Sequence, residues 1–175
     1  THRTRQSCDC LCFYADKYHL EEYGKPIFNH SYTKLPRGPV PTWLYSIVIT
    51  SISGNYDYDF QEEVNVFNEY IEEVSYNKYI QVIFTKKQEF NNKFFSKTQL
   101  KILNKVIEEF RTITAAEISE LSHTTNAWKN VEMNEQITYE SMVDDEKTSQ
   151  YVSYIQEEKI KFTRNYKLHK LNRVS

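Results

Sequence analysis

The one local cluster of thiols in the sequence lies close to its start, at Cys8, Cys10 and Cys12. On a helix, this spacing places Cys8 and Cys12 on one face and turns Cys10 away, so the three thiols do not converge on one metal ion. The sequence also contains no His-Glu-x-x-His pattern and no pair of Cys-x-x-Cys motifs, and its histidines are scattered. We therefore expect no bound metal and no other cofactor.

A catalytic nucleophile has no recognisable setting in this sequence. There is no Gly-x-Ser-x-Gly elbow and no glycine-rich phosphate-binding loop, and the chain has only three glycines. His19, followed by Glu21 and Glu22, is the candidate general base, although a structural hydrogen bond is the interpretation that we favour. His123 is interpreted as a partner for backbone carbonyls at a helix end. We predict that the protein is not an enzyme.

The composition of the 175-residue chain fits one domain with a tail. Apolar residues make up 39% of the sequence, which is enough for one core, and the 15% of aromatic residues suit either a core or a protein interface. No apolar run approaches the roughly 18 residues that a membrane span needs, and no secretory signal pattern opens the sequence. We expect a cytoplasmic protein with reduced cysteines and no membrane partner.

The formal net charge of −2 hides an uneven distribution along the chain. Residues 132–146 contain six acids and no base, whereas residues 159–173 contain six bases and no acid. Charge runs of this kind usually face water, and that is the simpler interpretation. The alternative is that one of the two runs is a docking surface.

Helical periodicity dominates the first half of the chain. Bulky residues at helical spacing predict a helix over residues 11–23, which Gly24 ends. Residues 25–34 are predicted to be an extended or looped connection, and the prolines of residues 35–41 to form a turn that enters a helix over residues 39–52. The next predicted elements are a turn at residues 54–57, a helix over residues 60–74 and a strand over residues 79–85 that pairs with the extended segment.

Two helix starts in the second half carry capping signals. Ser96 is placed as the N-cap of one helix. Thr114 and Glu117 form a capping box that opens a short helix through Leu121. The residues expected to line one side of the first of these helices are Leu100, Leu103, Ile107 and Phe110.

The last predicted elements are a helix over residues 139–146 and a partly helical segment over residues 151–175. The fold class that follows is mainly α, a compact helical domain with a small β element and a partly helical basic C-terminal tail. The predicted boundaries are residues 1–147 for the domain and residues 148–175 for the charged tail.

The helices on either side of residues 112–114 have the order of a helix-turn-helix. A recognition helix needs basic side chains to offset phosphate charge, but residues 114–122 contain two acids and no base. We therefore expect nucleic acid not to be a partner. A DNA-binding phage-associated or transcriptional regulatory protein stays as the alternative function, and it rests mainly on the basic residues 159–173.

Several motifs in the first three quarters of the chain carry a family resemblance. Residues 13–27 contain the pattern aromatic-Ala-x-x-x-x-Leu-x-x-x-Gly-x-Pro, and residues 32–41 end in Gly-Pro-Val-Pro. Phe95-Ser96 and then residues 114–123, with Trp128 after them, follow at family-like distances. In order and spacing, these motifs resemble the Panacea domain of SocA-like antitoxins.

The resemblance implies an antitoxin of a toxin-antitoxin system, which neutralises a co-encoded toxin by direct protein–protein contact. Some members of the family act as adaptors that deliver the toxin to a protease. The resemblance thus names a cognate protein toxin as the expected partner and a protease as a second partner in the adaptor case.

The positions that we predict to contact the partner are exposed aromatic and charged residues near the proline-rich turn, because Tyr, Trp and Arg are enriched in interface hot spots. They are Tyr32, Lys34, Arg37 and Trp43. Most of the motif residues are expected to build the fold. These are Tyr14, Gly24, Gly38, Pro39, Thr114, Glu117, His123 and Trp128.

Overall fold

The computed structural model describes residues 3–54, 60–73 and 83–171, and the predicted mainly α fold with a small β element is confirmed. No helix in these ranges is long and apolar enough to cross a membrane. The helices are α1 (Arg5–Tyr23), α2 (Thr42–Ser53), α3 (Gln61–Tyr70), α4 (Lys97–Glu109), α5 (Ala115–His123), α6 (Asn126–Lys129), α7 (Tyr139–Met142) and α8 (Glu146–Leu171). The strands are β1 (Arg3–Thr4), β2 (Tyr32–Leu35), β3 (Gly38–Pro41), β4 (Ile71–Glu73), β5 (Ile83–Lys86) and β6 (Gln136–Ile137).

Helix α1 is the central element of the core. It packs against β3, α4 and α5, and it begins at Arg5, six residues before the predicted start. Residues 13–17 are all buried, which an amphipathic surface helix would not allow. Gly24 ends the helix with φ 69°, as predicted, and a Cβ atom there would lie 2.5 Å from the Tyr151 ring.

A β-hairpin replaces the predicted start of the second helix. Pro39 pairs with Lys34 and Pro41 pairs with Tyr32, so the prediction of a helix from residue 39 is wrong for its first three residues. The fixed φ of proline suits an extended strand as well as a first helical turn, and β3 lies at the edge of the sheet in the order β3-β2-β6. Helix α2 therefore starts only at Thr42.

The predicted pairing of the strand at residues 79–85 with residues 25–34 is also wrong. Residues 79–82 lie outside the described residues, and β5, which begins at Ile83, pairs with β1 and β4. Strand β2 has β3 on one edge and β6 on the other, so neither edge is free for β5.

Helix α3 ends four residues earlier than predicted, at Tyr70. Ile71 has extended backbone angles and starts β4, where it pairs with Lys86. The helix was predicted from apolar residues at helical spacing. Ile71 fits that spacing, but as a β-branched residue it is equally suited to a strand. Gly54 forms the left-handed C-cap of α2, whereas the rest of the predicted turn, residues 55–57, lies outside the described residues.

The predicted N-cap at Ser96 and the predicted capping box of Thr114 and Glu117 are confirmed, and Ser96 also belongs to a capping box. The Ser96 hydroxyl accepts from the Gln99 amide and the Gln99 side chain accepts from the Ser96 amide, and Thr114 and Glu117 make the same exchange. The side of α4 that enters the core is displaced by one position from the prediction: Ile107 is 53% exposed. Of the predicted residues Phe110 is buried, and Ile102 and Val106, which were not predicted, are buried with it.

The C-terminal part contains more helix than predicted. The predicted helix over residues 139–146 is the short α7, and the chain then becomes extended at Val143 before α8 begins. Met142 and Val152 are fully buried against the rest of the core. The first turns of α8 therefore contribute to the core, and the division between residues 147 and 148 stays a prediction.

Candidate protein-binding surface

Tyr32 is fully buried, so the prediction that it is exposed near the turn is wrong. Its ring packs edge-on against Phe13, and its hydroxyl donates a hydrogen bond to the Asp16 carboxylate at 2.9 Å. The backbone of Tyr32 is paired on both sides, with Pro41 and with Ile137, and its side chain lies on the face of the sheet that packs on α1. Tyr32 fixes the hairpin to α1.

Asp16 holds the connection between α1 and the hairpin in place. Its Oδ1 accepts from the amides of Ile27 at 2.6 Å and Phe28 at 2.8 Å, and its Oδ2 accepts from Tyr32. Burial raises the pKa of this carboxyl to about 6, although all three hydrogen bonds act in the opposite direction. Sequence reasoning missed this residue, and the available signal was an acid within an otherwise aromatic stretch of α1.

Lys34, which was predicted to contact a partner, lies beside Trp128 from the second half of the chain. Its ammonium donates to the carbonyl of Val131 at 2.6 Å and lies 4.8 Å from the centre of the Trp128 ring. Arg37 is exposed at the tip of the hairpin. The structure thus places Lys34 against the body of the protein and leaves Arg37 accessible.

His123 does not cap carbonyls at the end of α5, so that interpretation is wrong. Its ring stacks on Trp128 with the ring centres 4.1 Å apart, while the hydroxyls of Thr124 and Thr125 donate to the terminal carbonyls. Nε2 of His123 is buried without a hydrogen-bond partner among the described residues. Two threonines that directly follow the helix were the sequence signal for this arrangement.

His19 has the structural role that we favoured over a general base. It is fully buried; Nδ1 is 2.6 Å from the carbonyl oxygen of Lys25 and Nε2 is 3.3 Å from the Thr98 hydroxyl. Both ring nitrogens are therefore engaged. A catalytic base must reach a substrate proton, which this position does not allow.

The thiol at the centre of the cysteine cluster is also enclosed. Cys10 is buried, and burial raises the pKa of its thiol to about 12. Cysteine binds a metal or acts as a nucleophile in its thiolate form, and this buried environment disfavours the thiolate. In the parts of the chain that the structure describes, no three metal-ligating side chains of His, Cys, Asp or Glu come together.

Trp43 lines a groove between α2 and α3. The Trp43 ring stacks on His30 with the ring centres 4.3 Å apart and the planes 13° from parallel. The groove has a volume of about 400 Å³. Its lining residues are Trp43, Leu44, Ile47, Glu62, Glu63, Val66, Phe67, Tyr70 and Ile71.

The groove combines apolar contact area with negative charge. Val66 is 50% exposed and Tyr70 is 37% exposed, although both are large hydrophobic residues. Glu62 and Glu63 line the groove from the first turn of α3. An aromatic and aliphatic surface next to carboxylates is suited to binding another chain, and of the four predicted contact residues only Trp43 belongs to it.

Comparison with known protein families gives one result. A family model described as "Antitoxin SocA-like, Panacea domain" matches residues 11–129. The match therefore runs from α1 to the end of α6 and includes the hairpin, Trp43 and the groove. No curated protein and no solved structure matches the chain.

Proposed function

Since the chain belongs to the SocA-like antitoxin family with a Panacea domain, we propose that it is the antitoxin of a toxin-antitoxin system. It neutralises a co-encoded toxin by direct protein–protein contact and catalyses no reaction. The observation that carries this proposal is the family match, because it extends over more than half of the chain and over most of the elements that form the core.

The surface supports a binding role. The groove between α2 and α3 leaves the hydrophobic side chains of Val66 and Tyr70 accessible, and Trp43 contributes to its wall. Interfaces are commonly anchored by Trp and Tyr side chains in apolar pockets surrounded by polar residues. Arg37, at the exposed hairpin tip, is a further candidate contact.

The buried histidine is consistent with the non-catalytic part of the proposal. His19, the candidate base in the sequence, is enclosed between α1, the following connection and α4. A protein that functions through surface contact needs no accessible catalytic base.

Co-expression tests the proposal. The protein encoded beside this chain is produced in cells alone, together with this chain, and together with an unrelated protein of similar size. We expect growth arrest by the neighbour alone and restored growth only with this chain. A neighbour that is harmless alone, or that stays lethal in the presence of this chain, would refute the antitoxin role.

A physical assay completes the test. The purified toxin and this chain should form a complex that elutes as one species in size-exclusion chromatography, since direct contact is the proposed mechanism. Restored growth without a complex would contradict neutralisation by binding. If the chain acts as a proteolytic adaptor, the toxin's half-life should shorten when this chain is present, while a stabilising complex should lengthen it.

A further inference from the structure

The groove between α2 and α3 is an open apolar surface in the part of the chain that the structure describes. Its floor comes from both helices, with Ile47 buried at the base and Val66 and Tyr70 accessible above it. Ile71 continues the apolar wall from β4. A volume of about 400 Å³ is in the range of pockets that enclose ligands or large side chains.

The charged residues that line the groove are both acidic. Residues 42–53 contain no charged residue, and residues 60–73 contain five acids and no base. Glu62 and Glu63 line the groove itself. Two bases approach from β5 and the residue after it: Lys86 pairs with Glu89, and Lys87 donates to the carbonyl of Asn68 near the end of α3.

We infer that this groove takes an amphipathic helix with an apolar face and basic flanks, supplied by the toxin. The chemistry of the occupant follows from the groove and its carboxylates, and the identification of its source rests on the proposed function. Apolar side chains at i, i+3, i+4 and i+7 of the bound helix enter the groove beside Trp43 and Tyr70. Lysine or arginine on the flanks of the helix lies opposite Glu62 and Glu63.

The same carboxylates argue against polyanionic occupants. Nucleic acids and anionic lipid surfaces carry phosphates, which Glu62 and Glu63 repel. The carboxylates also give the complex a salt dependence, because exposed charges are screened beyond about 8 Å at physiological ionic strength. Apolar burial in the groove is not weakened in this way, so part of the affinity persists at high salt.

The test uses the full chain and two synthetic helical peptides of about 18 residues. One peptide has leucines at the groove-facing positions and lysines on the flanks, and the other has glutamates in place of the lysines. Binding is followed by fluorescence anisotropy of the labelled peptides at low and high salt. At low salt, the lysine peptide should bind at least tenfold more tightly than the glutamate peptide. Equal affinities for the two peptides would overturn the inference.

Two matched pairs of variants locate the binding site. Val66→Gln should weaken binding about tenfold, whereas Ile107→Gln, at a similarly exposed position of α4, should not change it. Glu62→Gln with Glu63→Gln should weaken binding about 2- to 30-fold at low salt and less at high salt. The control is Glu69→Gln with Glu72→Gln, which removes the same charge from residues outside the groove lining. Equal effects within either pair would overturn the assignment.

Two further outcomes separate the occupants and the hypotheses. Concentration-dependent dimerisation that Val66→Gln abolishes would identify a second copy as the occupant and overturn the inference. If Val66→Gln, with an unchanged circular dichroism spectrum, still binds the toxin and restores growth as well as the unmodified chain, the toxin helix does not occupy the groove and the antitoxin role stands. If the unmodified chain itself fails to restore growth, the proposed function fails, and the peptide titrations alone then decide the chemistry of the groove.

Discussion

The buried carboxyl of Asp16 should make the stability of the protein depend on pH in a direction opposite to that of an ordinary ion-paired acid. Its pKa is raised from 3.8 to about 6 in the folded state. The folded protein therefore binds a proton more tightly than the unfolded chain does, so the stabilising contribution is complete below pH 3.8 and is lost as the pH rises through 6. A shift of about two units corresponds to about 3 kcal/mol.

The substitution Asp16→Asn isolates this effect. An asparagine oxygen can accept from the amides of Ile27 and Phe28, and its NH₂ group can donate to the Tyr32 hydroxyl, so the local geometry has a neutral equivalent. At pH 4 the two proteins should have similar unfolding free energies. At pH 7 the unfolding free energy of the variant should exceed that of the unmodified chain by up to about 3 kcal/mol, because the variant has no buried charge.

The assay is urea denaturation of both proteins at intervals from pH 4 to pH 7.5, followed by circular dichroism. The titration of all other groups cancels in the difference between the two free energies. Asp16→Ala is the control for geometry: it leaves the buried Tyr32 hydroxyl and the partly buried amides of Ile27 and Phe28 without an acceptor and should cost about 2–6 kcal/mol at every pH relative to Asp16→Asn. A flat difference would show that the hydrogen bonds offset desolvation, and a difference that favours the unmodified chain as the pH rises would show that they outweigh it. Either result would refute the argument.

Three further substitutions or truncations test the fold. Gly24→Ala places a Cβ 2.5 Å from the Tyr151 ring at a residue with φ 69°, and it should lower the stability of the protein in thermal unfolding by about 1–3 kcal/mol. The control is Gly54→Ala at the exposed C-cap of α2, where nothing lies within 4 Å of the added Cβ, so it should cost less. Thr114→Ala removes the N-cap of α5 and should cost about 0.5–2 kcal/mol, whereas Thr114→Ser should cost much less; equal losses would contradict the capping role. A chain that ends at Glu158 keeps the buried Val152 and should lose less than about 1 kcal/mol, whereas a large drop in melting temperature would show that residues 159–175 belong to the core. The same truncation should weaken any salt-sensitive binding of duplex DNA if the basic residues 159–173 have the regulatory role.

Local chemistry was readable from the sequence where neighbouring residues decide the structure. Ser96 and Thr114 cap their helices because each cap needs only a side chain and an amide within one turn. Gly24 ends α1 for the same local reason.

Predictions failed where distant residues decide. Pro39 lies in a strand because β2 is beside it, and β5 pairs with β1 and β4 because both edges of β2 are occupied. A proline pattern contains no information about either neighbour. Ile107 was predicted to be buried because its spacing places it on the apolar side of α4, but it is exposed. Helical spacing shows that a helix has an apolar side, whereas the contact with α1 determines which residues of that side face the core.

The candidate site was predictable only in part, for a related reason. Trp43 was identified because Trp is common in interfaces, and it does line the groove. Tyr32 was chosen on the same basis, but its hydroxyl meets Asp16 in the core. The remaining lining, such as Val66 and Ile71, could not be assigned because the groove exists only once α3 and β4 lie beside α2.

The composition of the hairpin restricts the ways in which a partner can bind. Strand β3 forms the outer edge of its sheet, yet Pro39 and Pro41 leave two of its four residues without an amide hydrogen. All four residues of β3 are buried, and the opposite edge is the two-residue strand β6. A foreign strand therefore finds no continuous ladder to extend, which protects the sheet from edge-to-edge aggregation. A partner that docks at this sheet must be recognised through side-chain surfaces rather than by β-augmentation, so recognition there depends on side-chain shape and charge and not on backbone pairing.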